Sequence, residues 1–186
     1  LQGPYRARAD RRAARPFPVE GSVSPDSNGL NLDEVGKFGQ ASALIPMQTV
    51  KPEIQILPSL LAADIGRLEE ACLRAENSGA DGLHLDIMDG HFVPNLSMGP
   101  EVSRMARRVV KLPLSTHLMV TRPDLFVVPF VEAGTNTLLI HVEAESDVLR
   151  TLRTIREKGV RAGITLNPET PSEAAFPFLE AVDEIL

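Results

Sequence analysis

The sequence predicts an α/β protein of the (β/α)8 TIM-barrel type, with only about the first five and a half βα units present, on three observations. From residue 53 onward, short β-branched or Leu-rich runs alternate with longer amphipathic stretches. Strict alternation implies right-handed crossovers and a parallel sheet, which leaves a doubly wound open sheet or a barrel. The GxGxxG turn of a dinucleotide-binding sheet is missing after the first run, where "LPSLLAAD" stands, and runs starting at 54, 82, 114, 137, 161 and 182 lie 21 to 32 residues apart. That spacing favours the barrel. A complete one needs eight units and about 250 residues, and the pattern here ends inside a strand at Leu186.

The first strand candidate is "IQILPS" (54–59), followed by "DIGRLEEACLRAENSGA", which Asp64 would cap and Gly79 would end in a left-handed turn. "GLHLDIM" (82–88) is the second strand and "GPEVSRMARRVVKL" its helix. Next come "LSTHLMV" (114–120) and "RPDLFVVPFVEAG", with Pro123 in the first turn and Gly134 at the end. "TLLIHVE" (137–143) leads to "SDVLRTLRTIREKG", where Ser146 is the expected cap and Gly159 the terminator. "RAGITLN" (161–167), "PSEAAFPFLEA" with Pro171 in its first turn, and "VDEIL" (182–186) complete the series. Cys72, the single cysteine, falls in a helical pattern and reads as a small core residue. One cysteine also excludes an intrachain disulfide framework and fits a reducing compartment.

A 43% hydrophobic content is ample for a packed core, and no apolar run approaches the eighteen or so residues of a membrane span. The formal charge of -6 argues against a general nucleic-acid surface, so no nucleic-acid partner and no membrane partner is expected. Residues 1–52 differ in kind. Arg6, Arg8, Arg11, Arg12 and Arg15 precede a Pro, Gly, Ser and Asn-rich stretch without period, which is expected to form a disordered leader before the barrel portion at 53–186. It reads as a dispensable extension, with Met47 as a candidate initiator, or as the remnant of an organelle transit peptide.

Barrel chemistry sits at the C-terminal ends of the strands, where the loops converge. Ser59 ends the first run, His84 and Asp86 the second, His117 the third, His141 and Glu143 the fourth and Asn167 the fifth, while His91 lies in the loop after the second. Alternation puts His84, Asp86 and Met88 on one face and Leu83, Leu85 and Ile87 on the other. A lone strand histidine is commonly a hydrogen-bonded core residue and a lone strand-end aspartate a helix cap. Two imidazoles and a carboxylate converging from neighbouring strands instead suit a catalytic divalent metal with an open position. Met88 and Met119 follow the proposed ligands by two residues, and by spacing alone read as core filler.

"PSLLAADIGRLEE", "GADGLHLDIMDGHFVPNLSMGP" and "THLMV" followed by "RPDLF" resemble the ribulose-phosphate 3-epimerase family over residues 54 to 186. The resemblance implies an isomerase of the pentose-phosphate and Calvin pathways that interconverts D-ribulose 5-phosphate and D-xylulose 5-phosphate through an enediolate. It implies one divalent ion (Zn, Fe, Mn or Co), with His84, Asp86 and His117 as ligands and Asp86 also as general base. Ser59, His117, Met88 and Met119 would bind substrate, the methionines lining the enediolate. His91 would order its loop, and His141 would pack and hydrogen-bond at the mouth. A homo-oligomer is implied at full length, in the cytoplasm, or in the plastid should the leader be a transit peptide.

The family's second catalytic carboxylate, also a metal ligand, and its Gly-rich phosphate loops belong to later strands than this chain contains. Asp183 and Glu184 begin the sixth strand and are poor substitutes. The chain is thus expected to be a fragment with negligible activity of its own. Alternatives are an epimerase for allulose 6-phosphate, a non-catalytic truncated paralogue, and a decarboxylase of the same barrel group. The last needs a lysine in Asp-x-Lys-x-x-Asp, and "DIMDGHF" has Met88 in its place.

Overall fold

A computed structural model describes residues 54–186. The leader expected at 1–52, with Met47, lies outside the described residues. Five parallel strands, β1 (Leu83–Met88), β2 (Leu114–Met119), β3 (Thr137–His141), β4 (Arg161–Thr165) and β5 (Glu184–Ile185), pair in chain order. Four α-helices cross between them or precede them: α1 (Leu68–Asn77), α2 (Pro100–Val109), α3 (Val127–Glu132) and α4 (Val148–Glu157).

The first expected strand does not form a ladder. Residues 54–59 are extended and touch β1 through one bridge, Ser59 to His84, with the Asp81 N–H donating to the Ile56 carbonyl and the His84 N–H to that of Pro58. Pro58 has no N–H, which removes a rung from the ladder. Helix ends follow the sequence more closely. Gly79, Gly134 and Gly159 all take positive φ just past α1, α3 and α4. At Gly134 the need is twofold, because φ is 89° and an added Cβ would lie 2.9 Å from Arg107 Cγ.

Two caps depart from expectation. Asp64 accepts the Gly66 N–H and caps a short 3-10 turn at Ile65–Arg67, with α1 starting one turn later. Asp147, not Ser146, accepts the Arg150 N–H and caps α4, while the Ser146 hydroxyl is buried without a partner. The last amphipathic stretch is a 3-10 helix, Ser172–Ala181, because Pro177 inside it cannot complete an α-helical bond pattern.

The core lies between sheet and helices. Leu83, Leu85, Leu114, Leu118, Leu138, Ile140, Ala162 and Ile164 project from one face onto helix residues such as Cys72, Ala106, Phe130, Leu152 and Ile155. Each fully buried Leu or Phe contributes about 1.5–3 kcal/mol through removal from water. Side chains of the intervening positions must project from the opposite face. There the register aligns Asp86 with His117, His117 with Leu139 and Leu139 with Gly163. No helix among the described residues is long and apolar enough to cross a membrane.

Candidate active site

The polar face of β1 and β2 gathers the residues that strand alternation singles out. Asp86 is at its centre. Its Oδ2 accepts a 2.6 Å hydrogen bond from the Ser59 hydroxyl, and its Oδ1 stands 3.3 Å from His84 Nε2 and 3.2 Å from His117 Nδ1. His84 Nε2, Asp86 and His117 thus offer three donor atoms within 4.8 Å of one another. Two nitrogens and a carboxylate at this spacing fit a small divalent ion, and the set discriminates weakly among Zn, Fe, Mn and Co.

His84 lies deeper than its motif suggests, second of six residues in β1, and its imidazole spans the distance to Asp86. Ser59 reaches the same carboxylate from the segment before β1. It also caps the 3-10 turn Leu60–Ala62 by accepting the Leu61 N–H, so one hydroxyl ties the incoming chain to the site. Met88 and Met119 face each other in register at the ends of β1 and β2, both half-buried.

Burial acts to raise the Asp86 pKa, but hydrogen bonds with His117, His84 and Ser59 outweigh it and hold the carboxyl well below the usual carboxylate range. Asp86 is therefore an anion at neutral pH, able to ligate a cation or accept a proton. Beyond His117, its Nε2 lies 2.9 Å from His141 Nε2, and His141 Nδ1 lies 3.1 Å from Glu143 Oε2. Burial, and then the neighbouring His117, push the His141 pKa down against the opposing pull of Glu143.

Two residues that sequence reasoning passed over organise the mouth. Asp89 accepts the N–H groups of His91 and Phe92 on Oδ1 and that of Thr121 on Oδ2, each at 2.8 Å, joining the loop after β1 to the end of β2. Burial opposes ionisation there, yet the backbone donors of Thr121, His91 and Phe92 lower its pKa to about 2. An Asp-Gly pair directly after a strand is a turn signal that could have drawn attention to it. Ser97 donates to the Asp86 carbonyl at 2.6 Å and accepts the Met88 N–H at 3.0 Å, with no comparable signal. His91 stays exposed, its ring 3.0 Å from the Asp89 carbonyl. Asp183 accepts the Ala162 N–H and takes no part in the cluster.

The sequence model of the Ribulose-phosphate 3 epimerase family matches residues 55–186. Among curated proteins, the ribulose-phosphate 3-epimerase of Treponema pallidum is 46% identical over 131 residues, 70% of this chain and 60% of that protein. That of Bacillus subtilis is 41% identical over 133 residues, 72% of this chain and 61% of that protein. The chain therefore spans about three fifths of the length of these relatives. Among solved structures, a mutant tryptophan synthase alpha-subunit from Pyrococcus furiosus superposes with a TM-score of 0.52 at 15% identity, covering 69% of this chain and 62% of that one. The fold is that of the β/α barrel.

Proposed function

The chain belongs to the ribulose-phosphate 3-epimerase family, and from that premise we propose that it carries the metal-binding and proton-abstracting part of an enzyme acting on D-ribulose 5-phosphate. The reaction removes the C3 proton and returns it to the opposite face, giving D-xylulose 5-phosphate. The observation that supports this reading is the convergence of His84, Asp86 and His117 on one sheet face, with Asp86 kept ionised.

Asp86 takes the C3 proton, which is weakly acidic because it lies α to a ketone. His84, Asp86 and His117 would hold a divalent ion, which would supply Lewis-acid stabilisation for the negative charge that develops on the substrate oxygens. Ser59, which donates to Asp86 here, orients the carboxylate and can turn its hydroxyl toward substrate. Met88 and Met119 form an apolar border at the strand ends, and excluding water strengthens the electrostatic contacts beneath it.

Inversion also requires a proton donor on the other face of C3. Asp86 is the only carboxylate in the metal-ligand cluster among the described residues, so the 186-residue chain by itself should bind metal but turn substrate over negligibly. The whole protein acts as a cytoplasmic homo-oligomer in this reading, with the plastid as the alternative an Arg-rich leader would specify.

Two measurements test it. Calorimetric titration of the chain with Zn2+ should show one site, weakened at least about 10-fold in Asp86→Asn. A coupled assay of the protein expressed from its own gene should form xylulose 5-phosphate from ribulose 5-phosphate, with a loss of about 10²–10⁴-fold in Asp86→Asn. Absence of Zn2+ binding in wild type would overturn the metal reading, and absence of product the epimerase reading.

A further inference from the structure

The side of β1 that faces away from β2 loses its neighbour partway along. In a strand the main-chain N–H and C=O groups of alternate residues point to the same side. The odd residues of β1 turn theirs toward β2, as the Leu83 N–H does in donating to the Pro113 carbonyl at 2.8 Å. The even residues face the incoming segment, where the His84 N–H meets the Pro58 carbonyl at 3.0 Å. That segment bridges β1 at Ser59 and His84 and then turns away into the 3-10 turn Leu60–Ala62. Asp86 and Met88 are the even residues past the bridge, and their side chains are the ones that face the site.

A single residue takes over there. The Ser97 hydroxyl donates to the Asp86 carbonyl at 2.6 Å and accepts the Met88 N–H at 3.0 Å, while the Ser97 N–H donates to the Met88 carbonyl at 3.3 Å. A hydroxyl has one proton and two lone pairs, so it satisfies a C=O and an N–H at once, which alanine cannot do. Ser97 arrives from the far end of the loop after β1, next to the bridge between Asp89 and Leu96. Main-chain groups that a neighbouring strand would have paired are thus held by this one serine.

We propose that Ser97 is a positioning residue, standing in for the strand that β1 lacks beyond Ser59 and so holding the Asp86 carboxylate where a divalent cation and the substrate C3 meet. The inference deepens the epimerase reading and rests on it. The Ser97 bonds go to main-chain atoms, so its effect on the carboxylate passes through the backbone of β1. An unpaired strand end loosens, and a tilt of the Asp86 backbone carries Oδ1 away from its places 3.3 Å from His84 and 3.2 Å from His117. A displacement of about 1 Å is enough to cost about 100-fold in rate.

Ser97→Ala removes the hydroxyl and Ser97→Thr keeps it. Ser97 borders an open cleft with Leu60, Met88 and Pro94, so the threonine methyl has room. Hydrogen exchange of the metal-free chain reads the contact directly: the Met88 amide should be slow in wild type and Ser97→Thr, and about 10-fold faster in Ser97→Ala. Calorimetry should give a Zn2+ affinity about 10-fold lower in Ser97→Ala and close to wild type in Ser97→Thr. In the protein expressed from its own gene, at saturating Zn2+, Ser97→Ala should lower kcat about 100-fold with KM for ribulose 5-phosphate within about threefold. The loss falls on the proton-abstracting group rather than on substrate binding. Gly159→Ala controls for lost stability alone, because it strains the positive φ that ends α4 at the opposite end of the strands from the site. It should leave Zn2+ affinity and kcat unchanged.

An unchanged affinity and kcat in Ser97→Ala, an equal loss in Gly159→Ala, or a Ser97→Thr no better than the alanine variant would each overturn the proposal. If Ser97→Ala does not fold, the wild-type Met88 amide and the threonine variant decide instead: fast exchange at Met88, or lost Zn2+ binding in Ser97→Thr, is incompatible with it. A wild type that binds no Zn2+ and forms no product overturns the epimerase reading beneath, whereas a working wild type beside a working Ser97→Ala overturns the role of Ser97 alone.

Discussion

At Asp86 burial disfavours the charged form, and Ser59, His84 and His117 together reverse that preference. Ser59→Ala removes one of these three partners and should raise the Asp86 pKa, which an NMR titration of the Asp86 carboxyl carbon in the metal-free chain would show. Asp89 offers a different pH signature. Its folded pKa of about 2 lies below the ordinary 3.8, so its stabilisation is present above that ordinary value and lost as pH falls from about 4 to about 2. Asp89→Asn should be less stable at neutral pH and show a shallower loss through that window, as denaturant midpoints at several pH values would reveal. The Asp86 constellation was legible because period-two alternation places His84 and Asp86 on one face whatever the fold. Glu143 was placed at a strand end, but its contacts and those of Asp89 were not legible, since their partners Thr170 and Thr121 lie 27 and 32 residues away and meet them only once the strands align.

Among the elements, α2 is tied by the Arg107 side chain to the loops that lead into β2 and β3. Arg107 donates through Nη2 to the Leu112 carbonyl at 3.0 Å and to Asn136 Oδ1 at 2.8 Å, and through Nε to the Gly134 carbonyl at 3.3 Å. The same Asn136 oxygen accepts the Leu114 N–H that starts β2. Arg107→Met keeps the stem and removes all three bonds, and should cost about 1–3 kcal/mol in urea unfolding. Gly134→Ala should also destabilise, by about 1 kcal/mol or more, because it strains a positive φ and presses on the Arg107 stem. Strand order and helix termini were readable from alternation and from Gly79, Gly134 and Gly159. The first strand was over-read because a Leu-Pro-Ser ending looks like a strand end, whereas Pro58 withholds a ladder bond. The α4 cap was misplaced by one because Ser146 and Asp147 are both good caps, and only the local geometry picks between them.

Across the whole molecule, the described sheet has two free sides, with β1 touched by one bridge and β5 only two residues long. Apolar side chains crowd both: Ile54 and Ile56 at one, Phe176, Leu179, Ile185 and Leu186 near the other. Exposed strand edges beside apolar surface promote association. The 186-residue chain should therefore sediment as concentration-dependent oligomers, and Ile185→Lys should shift it toward monomer.

The two faces of the strands also have a consequence for variation. In β1 the odd positions Leu83, Leu85 and Ile87 meet the helices and the even ones meet the site. In β2 the parity inverts, with Leu114 and Leu118 in the core and His117 in the cluster. A saturation library scored once for cellular abundance and once for bound metal should split each strand into interleaved letters, one set depleted for lost protein and the other for an intact protein that no longer holds its ion. Neighbours in the chain would then drift under separate selection, and a substitution tolerated at one position would predict nothing about the next.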